Sequence, residues 1–538
     1  MKSFARIRHG LSVVLLLLLA GQASAQKLAK ELKQQDANGD VDVIIEYSSP
    51  VTSSHHAFIQ SLGGRLNHSY KHLRNHASYT VPGWALSLLE ADGRVKHVSK
   101  DHTVQPLLDI TTATVGAQAA WNVGLFGDGV DIAVIDSGIN VDADLTDYWG
   151  HSRVDYAQSF VPGDSSTADA YGHGTHVAGI LASNGYNSSS YRAFRTFMGV
   201  APNAHLINLR VLDASGSGKD SQVVAAIDRA IALKSQYNIG VINLSLGRNV
   251  FESYTQDPLC KAVERAWQAG IVVVVAAGNN GRLNDQGQNG YGTIMAPAND
   301  PYVITVGAMK ANGTPNKADD AIATYSSKGP TAIDHIAKPD IVAPGNLVDS
   351  VRAPGSTLDL QFPQNRVAYN YYLNTWNTGY SPYYFTLSGT SMASPVVAGA
   401  AALLLESDPT LTPDLIKARL MKTASKSFPT STTYVDPTGA TYTSYYDVFT
   451  VGAGYLDIAA ALANTDRPTG AALSPTAVLD PVSGNVMLTT PLGQTVVWGG
   501  SIAWGSSVVW GGSIAWGSST TNAYSNTSAE SILLSGEN

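Results

Sequence analysis

The stretch DIAVIDSG, residues 131–138, sets a short run of apolar residues directly before an aspartate and a Ser-Gly turn. Three more runs of this kind follow, namely HLINLRVL (205–212), GVINLSLG (240–247) and GIVVVVAAGN (270–279). Helical patterns such as SQVVAAIDRAIALKS (221–235) lie between them. Buried strands that alternate with helices predict an α/β domain, in which helices cover both faces of a parallel sheet.

The ends of these strands carry polar side chains. Asp136, Ser245 and Asn279 each stand where an apolar run stops, and in parallel sheets the chemistry sits at the carboxyl ends of the strands. A carboxylate there can receive an imidazole N–H and fix its tautomer, and an asparagine amide can donate to an oxyanion. A lone aspartate at a strand end is more often a turn former, so the partners of Asp136 decide its role.

Two glycine-rich segments each start a helix. In GHGTHVAG (172–179), His173 and His176 share one helix face. The two histidines could bind a metal together, one of them could be a catalytic base, or both could be structural. In SGTSMASP (388–395), Ser391 stands where the backbone N–H is free and the helix dipole favours negative charge. A serine at such a position is usually a cap, and it becomes a nucleophile only beside a base.

Together these segments resemble one family. AVIDSGI (133–139), GHGTHVAG and SGTSMASP are similar to the three signature blocks of the subtilisin-like serine proteases, in that family's Asp…His…Ser chain order. AAGNNG (276–281) is similar to the family's oxyanion-asparagine block. The resemblance implies a subtilisin-like three-layer fold over residues 109–466. It also implies a serine endopeptidase that hydrolyses peptide bonds through an acyl-enzyme.

The resemblance implies roles for individual residues. Ser391 is the nucleophile, His173 is the base and then the acid, and Asp136 orients His173. The Ser391 N–H and the Asn279 amide hold the oxyanion. Protein substrates are expected to bind as extended strands. The matching positions are Gly216, Ser217, Gly218, Ser245, Leu246 and Gly247, with Ala276, Ala277 and Gly278 as one wall of a roomy, apolar primary specificity pocket.

Some stretches depart from the family pattern. The segment 355–385 is longer than in compact members and is expected to shape the pocket or form a lid. Val396 stands where a histidine often follows the serine block. No cofactor is expected for catalysis, but the resemblance allows a structural calcium with Asp144 as a matching ligand, although the loop 183–197 is poor in carboxylates.

The N-terminal residues predict export and a proenzyme. Residues 1–25 combine a basic start, an apolar run and the cleavage site Ala23-Ser24-Ala25, so a secreted protein that begins at Gln26 and keeps no transmembrane segment is expected. Residues 41–105 have a βαββαβ pattern, a small ferredoxin-like α+β unit. It is similar to the family's inhibitor-type propeptide, which assists folding and then occupies the active site, so residues 26–108 are expected to be a propeptide removed by self-processing.

Residues 467–538 form a tail of different composition. The sequence VVWGGSIAWGSS occurs twice within 496–519, so that Trp498, Trp504, Trp510 and Trp516 recur every six residues. An even period keeps them on one face of an extended strand. A small β addition or a spacer is expected, and the alternative is a carbohydrate- or surface-binding role that associates the protein with a surface.

The overall composition excludes several classes of protein. A formal net charge of −8 argues against a nucleic-acid-binding protein, and the 44% apolar content excludes a highly charged disordered chain. Cys260 is the single cysteine, so an intramolecular disulfide is impossible, and its apolar helical face predicts a buried side chain. A monomer is expected.

Two other functions compete with the protease. A surface or adhesion protein could use the same fold without catalysis, but the intact set of Asp136, His173, Ser391 and Asn279 argues against it. A metal hydrolase could use His173 and His176, but the sequence has no H-E-x-x-H and no carboxylate at helical spacing from them. His176 is therefore expected to be a packed, hydrogen-bonded residue.

Overall fold

A computed structural model describes residues 27–29, 32–33, 39–70, 74–100, 107–108, 110–285, 287–479, 486–489 and 532–537. The chain forms two compact units, Met1–Gln105 and Pro106–Asn538. The predicted signal peptide and the Trp repeats at 496–519 lie outside the described residues.

The described residues of the first unit form a four-stranded antiparallel sheet and two α-helices. Its elements are β1 (Asp40–Tyr47), α1 (Ser53–Ser61), β2 (Arg65–Ser69), β3 (His76–Pro82), α2 (Leu86–Ala91) and β4 (Val95–Lys100). The sheet has the order β2-β3-β1-β4. Along β1 every second residue is buried, since alternate side chains of a strand point to the same face. Element order and strand order are those of a split βαβ arrangement.

The second unit is built on an eight-stranded sheet with the order β11-β10-β9-β8-β5-β7-β6, to which β12 adds by pairing with β10. These strands are β5 (Asp131–Asp136), β6 (Val154–Ser159), β7 (His205–Arg210), β8 (Ile239–Leu244), β9 (Val272–Ala276), β10 (Ile304–Lys310), β11 (Ala321–Ile322) and β12 (Ile341–Pro344). All pairs are parallel except β10 with β11. The predicted α/β fold is therefore confirmed.

Helices cover both faces of this sheet. They are α3 (Ile110–Thr114), α4 (Gln118–Trp121), α5 (Gly174–Ala182), α6 (Asp220–Tyr237), α7 (Pro258–Gln268), α8 (Thr357–Gln361), α9 (Thr390–Ser407), α10 (Pro413–Thr423), α11 (Val448–Val451) and α12 (Ile458–Ala463). Helices α5 and α9 contact each other and the strands, as do α6 and α7. Strands β5 and β9 are buried at every residue, which requires cover on both faces.

Helix α9 is 18 residues long and strongly apolar. Among the described residues it is the one helix long and apolar enough to cross a membrane. However, 78% of its apolar window is buried inside the protein, which is typical of a central core helix. The helix contacts β8, β9, β10 and β12, and Ser391 lies in its first turn.

Smaller sheets flank the main one. Strands β13 (Val348–Val351), β14 (Arg366–Ala368) and β15 (Tyr380–Leu387) form a sheet with β15 in the middle. Two hairpin-like pairs follow, β16 (Ser431–Val435) with β17 (Thr441–Tyr445), and β18 (Thr476–Leu479) with β19 (Val486–Thr489). A two-residue parallel pair joins Leu107–Leu108 to Arg195–Thr196.

Cys260 lies inside α7 and is fully buried. Its thiol donates to Asn299 Oδ1 at 3.3 Å. Burial raises the pKa of this thiol far above neutrality, so Cys260 stays protonated and packs as a small apolar residue.

Candidate active site

The fold brings His173 and Asp136 together. His173 stands immediately before α5, and Asp136 is the last residue of β5. The Nδ1–H of His173 donates to Asp136 Oδ1 at 2.7 Å, and both side chains are buried. This hydrogen bond assigns the ring proton to Nδ1 and leaves Nε2 with a lone pair that can accept a proton.

A second set of hydrogen bonds fixes the approach of α5 to β5. Ser137 Oγ accepts from Gly174 N at 2.9 Å and donates to Asp169 at 2.8 Å. Asp169 also accepts from Thr175 N, at 2.8 Å, in the first turn of α5. A Cβ at Gly174 would lie 2.3 Å from the Gly138 carbonyl oxygen, so only glycine allows this close approach. No sequence motif points to Asp169, because its role depends on contacts across the turn.

The protonation of His173 follows from its surroundings. Burial disfavours the imidazolium, but the charge of Asp136 and its hydrogen bond favour it more strongly. The balance holds the pKa of His173 above its usual value. A raised pKa makes the imidazole a stronger proton acceptor.

Ser391 lies in the first turn of α9, which contacts α5. Its Oγ donates to the Ser245 carbonyl oxygen at 3.0 Å, and Ser245 Oγ donates to the Ser391 carbonyl oxygen at 2.8 Å. Within the described residues no hydrogen bond joins Ser391 to His173, so the hydroxyl must turn away from Ser245 before it can act as a nucleophile. Such contacts are often loose in the absence of substrate.

Asn279 is held beside the start of the same helix. Its Oδ1 accepts from Thr390 N at 2.9 Å and from Thr390 Oγ1 at 3.0 Å. These two donors identify Oδ1 and therefore orient the amide, so that Nδ2 is the group left to donate. The motif AAGNNG points to Asn279, but no motif points to Thr390 as the residue that fixes the direction of the Asn279 amide.

A profile described as the subtilase family matches residues 127–446, more than half of the chain. The chain belongs to the subtilase family. It is 37% identical over 357 residues to serine protease AprX of Bacillus subtilis (strain 168), an alignment that covers 64% of this chain and 73% of that protein. It is 32% identical over 426 residues to an alkaline protease of Alkalihalobacillus alcalophilus, covering 77% of this chain and 92% of that protein. Subtilisin E of Bacillus subtilis (strain 168) is 33% identical over 371 residues, covering 68% of this chain and 80% of that protein.

These relatives are named serine protease, alkaline protease and subtilisin. Together with the family match, they identify this subtilase as a serine endopeptidase that acts on peptide substrates. The predicted family and enzyme class are therefore confirmed, and the non-enzymatic alternative is set aside.

His176 of this subtilase is separate from the acid–base pair. Its Nε2–H donates to the carbonyl oxygens of Val348, at 3.1 Å, and Phe385, at 3.0 Å. Burial, with the charge of His173, lowers the pKa of His176 to about 3. Across the part of the chain that the structure describes, no group of three His, Cys, Asp or Glu side chains is placed to hold a metal ion. His176 thus links α5 to β13 and β15 as a neutral, packed residue.

The two segments predicted to pair with substrate differ in their free backbone groups. Leu246 and Gly247 make no hydrogen bond to the described residues, and Gly247 is exposed. In the other segment, Ser217 N donates to Asp213 Oδ1 at 3.1 Å, and Ser217 O accepts from Asp213 N at 2.9 Å. Gly216 N also donates to Asp213 O, at 3.0 Å, so the free groups of this segment are the Gly216 carbonyl and the backbone N–H and carbonyl of Gly218.

The predicted specificity pocket is narrower than its small wall residues suggest. Residues 276–278 are buried at the end of β9. A Cβ on Gly278 would lie 2.6 Å from Met295 Cγ, and a Cβ on Gly247 would lie 3.2 Å from Met295 Cβ. The Met295 side chain therefore lies between the two walls and fills part of the space. No sequence signal pointed to Met295, since a backbone hydrogen bond from its N to Ala277 O, at 3.1 Å, brings it there.

Asp144, the expected calcium ligand, lies in a hydrogen-bond network. Its carboxylate accepts from Asn187 N at 2.7 Å, from Tyr384 Oη at 2.7 Å and from Ser183 Oγ at 3.1 Å. Burial raises the pKa of Asp144 to about 6. N–H and O–H donors take the positions that a cation would need around this carboxylate, so the residues present do not fit a calcium ion at Asp144.

The long segment 355–385 lies along one side of the site. Thr357 Oγ1 donates to Ala214 O at 2.7 Å, and Leu358 N donates to Tyr171 O at 2.9 Å. The segment therefore contacts both the loop before His173 and the turn that carries Gly216. Its tyrosines Tyr372 and Tyr384 pack with Phe197 in a separate apolar cluster.

Proposed function

We propose that this subtilase hydrolyses peptide bonds with a triad of Asp136, His173 and Ser391. The observation that carries the proposal is the 2.7 Å hydrogen bond from His173 Nδ1 to Asp136 Oδ1, which leaves Nε2 as the base. The packing of α5 against α9 supports Ser391 as its partner. Asn279 Nδ2 and the Ser391 N–H are proposed to form the oxyanion site.

In the proposed reaction, Ser391 Oγ attacks the scissile carbonyl carbon while its proton passes to His173 Nε2. The carbonyl oxygen becomes an oxyanion, to which Asn279 Nδ2 and Ser391 N–H donate. The C–N bond then breaks, the leaving amine takes the proton from Nε2, and Ser391 is left as an ester. Water, deprotonated by Nε2, attacks the ester carbonyl carbon, the bond to Ser391 Oγ breaks as Nε2 returns the proton to Oγ, and the carboxylic acid product leaves. Asp136 stabilises the imidazolium in both halves of the cycle.

Substrates are proposed to bind as extended strands. The open backbone groups of Leu246, Gly247 and Gly218, with the Gly216 carbonyl, support this because a strand can pair with them. The residues at 276–278 with Met295 would then surround the side chain before the scissile bond. No cofactor takes part in these steps.

We further propose that the enzyme is secreted and made as a self-processing proenzyme. The signal-type pattern of residues 1–25 supports export. The separate first unit, with its split βαβ order, supports a propeptide that assists folding and acts as an intramolecular inhibitor. The Trp-repeat tail is proposed to act as a spacer or to associate the enzyme with a surface.

A fluorophosphonate probe tests the triad. Wild-type enzyme should be labelled on Ser391, as shown by peptide mapping, and Ser391→Ala should not be labelled. Ser407→Ala is the matched control, because Ser407 is exposed on the same helix. Labelling that persists in Ser391→Ala would refute Ser391 as the nucleophile.

Processing has its own test. The Ser391→Ala variant should accumulate as an uncleaved form of about 513 residues, the 538-residue chain less its signal. Intact mass of the exported protein measures this. Normal maturation of the variant would show that cleavage is not autocatalytic.

A further inference from the structure

Residues 532–537, here called the docked segment, pack against the rest of the second unit, with Ser535 exposed. Ile532, Leu533 and Leu534 are 9%, 8% and 9% exposed and belong to the main hydrophobic core. The helical turn of this segment ends at Gly536, whose φ is +56°. A Cβ there would lie 2.3 Å from Ser388 Oγ, so both the backbone angle and the close contact require glycine.

The end of this helical turn binds the loop that leads to Ser391. Ser388 N donates to Leu533 O at 2.8 Å, and Asn365 Nδ2 donates to Leu534 O at 2.6 Å. Carbonyl groups in the last turn of a helix lack partners within the helix, and here the receiving surface supplies them. The docked segment therefore contacts the nucleophile loop directly, three residues before Ser391.

Glu537 is bound by hydrogen-bonding groups and by a cationic side chain. Asn346 Oδ1 accepts from Glu537 N at 2.8 Å, and Asn346 Nδ2 donates to Glu537 O at 2.7 Å. The carboxylate is 2% exposed and accepts from Arg282 at 2.7 Å and from Thr324 N at 2.8 Å, with Thr324 Oγ1 as a further donor. A carboxylate buried in this way needs both a cation and several donors. The groups around Glu537 therefore suit an acidic side chain.

The sheet order places this site on one side of Ser391. The predicted substrate segments 216–218 and 245–247 follow β7 and β8, and Asn279 follows β9. Thr324 and Asn346 follow β11 and β12, which lie on the far side of β9. A peptide with its acyl half on the substrate segments and its scissile carbonyl at Asn279 therefore continues towards the docked segment.

We propose that the docked segment occupies part of the site for the leaving-group half of a protein substrate, so that long substrates must displace it. The occupant is the chain's own segment Ile532–Glu537, and the ligand class is an acidic peptide. The inference rests on the proposed function, which sets the direction in which a substrate lies across Ser391.

Two substrates and two full-length variants test this. A peptide p-nitroanilide fills only the acyl side, whereas an internally quenched peptide extends several residues on both sides of the scissile bond. Glu537→Gln removes the charge that Arg282 pairs with, and Gly536→Val clashes with Ser388. Glu252→Gln, at an exposed position, is the control. Intact mass confirms that residues 532–537 are present in each preparation.

Each variant should lower KM for the two-sided substrate about tenfold, because the apparent constant is the intrinsic one divided by the fraction of enzyme whose site is free, and the docked segment keeps that fraction small. The kinetic constants for the nitroanilide should change less than about twofold. Added peptide Ile-Leu-Leu-Ser-Gly-Glu should restore the higher KM in Gly536→Val, and the same peptide with Gln in the last position should not.

Equal changes in the kinetic constants for both substrates would show that the docked segment only stabilises the nucleophile loop. An unchanged KM for the two-sided substrate would show that the segment does not block the site. Either result overturns the proposal. If Glu537→Gln does not fold, Gly536→Val with the added peptide decides between these outcomes. Loss of fluorophosphonate labelling in the wild-type enzyme would instead count against the proposed function.

Discussion

His173 Nδ1 and Asp136 Oδ1 lie 2.7 Å apart, in a hydrogen bond between two buried side chains. The bond joins the N-terminus of α5 to the end of the central strand β5. It determines which nitrogen of the His173 ring carries the proton, and it raises the affinity of the ring for a second proton. Both effects can be measured in the activity of the enzyme.

The acidic limb of kcat/KM should have an apparent pKa above the usual histidine value of about 6.5. His173 must be neutral to accept the proton of Ser391, and its pKa is raised, so activity is lost as pH falls through that raised pKa. Measurement of kcat/KM from acid to neutral pH with a nitroanilide tests this. Asp136→Asn should move the limb to lower pH and reduce kcat by about 10⁴. A wild-type limb below the usual histidine value would contradict the argument.

Asn279→Ala should reduce kcat and leave KM nearly unchanged, since its amide donates only to the charge that develops in the transition state. The size of the loss is the one known for an oxyanion-hole asparagine of the subtilisin family, about 10²–10³ in kcat. Steady-state kinetics with a nitroanilide measures it. The neighbouring Asn280→Ala is the control, and a rise in KM alone for Asn279→Ala would assign the amide to substrate binding.

Met295→Gly should enlarge the specificity pocket, because the Met295 side chain lies against Gly247 and Gly278. The preference for an aromatic over an alanine side chain before the scissile bond should increase by about 10-fold or more. Ratios of kcat/KM for paired peptide substrates measure the change. Met295→Leu conserves the volume and should keep the wild-type ratio. If Met295→Gly leaves the ratio unchanged, Met295 lies outside the pocket.

Tyr384→Phe should destabilise the enzyme by about 1–3 kcal/mol, because the buried Asp144 carboxylate loses one of its donors. Thermal unfolding of fluorophosphonate-blocked enzyme measures this without self-digestion. Tyr380→Phe, on the same strand at an exposed position, is the control. A chelator should leave the wild-type midpoint unchanged. A midpoint that falls with chelator and recovers with calcium would show that Asp144 binds a cation after all.

Much of the site could be anticipated from short sequence patterns. An apolar run before Asp136 predicts a strand end, and glycines around His173 and Ser391 predict helix starts, because these patterns act over a few residues. The role of His176 was also a sound expectation, but its partners Val348 and Phe385 were not visible. Those carbonyl groups are contributed by strands more than 170 positions away, at separations of 172 and 209 residues.

Other features depend wholly on distant contacts. Met295 enters the predicted pocket through a turn that pairs it with Ala277, and Thr390 sets the direction of the Asn279 amide. Asp144 matched a ligand position, yet a tyrosine 240 residues later donates to it. A short motif carries no information on the donor that arrives from a separate segment.

By itself, the sequence determined the family, the α/β class and the positions of the strand ends and helix starts, because local periodicity and turn chemistry specify these. Only the tertiary structure decided the direction of each hydrogen bond, the width of the pocket beside Met295, the network around Asp144 and the placement of Ile532–Glu537 beside Ser388. These depend on which atoms packing brings within about 3 Å of each other, and hydrogen bonds and excluded volume act only at that range.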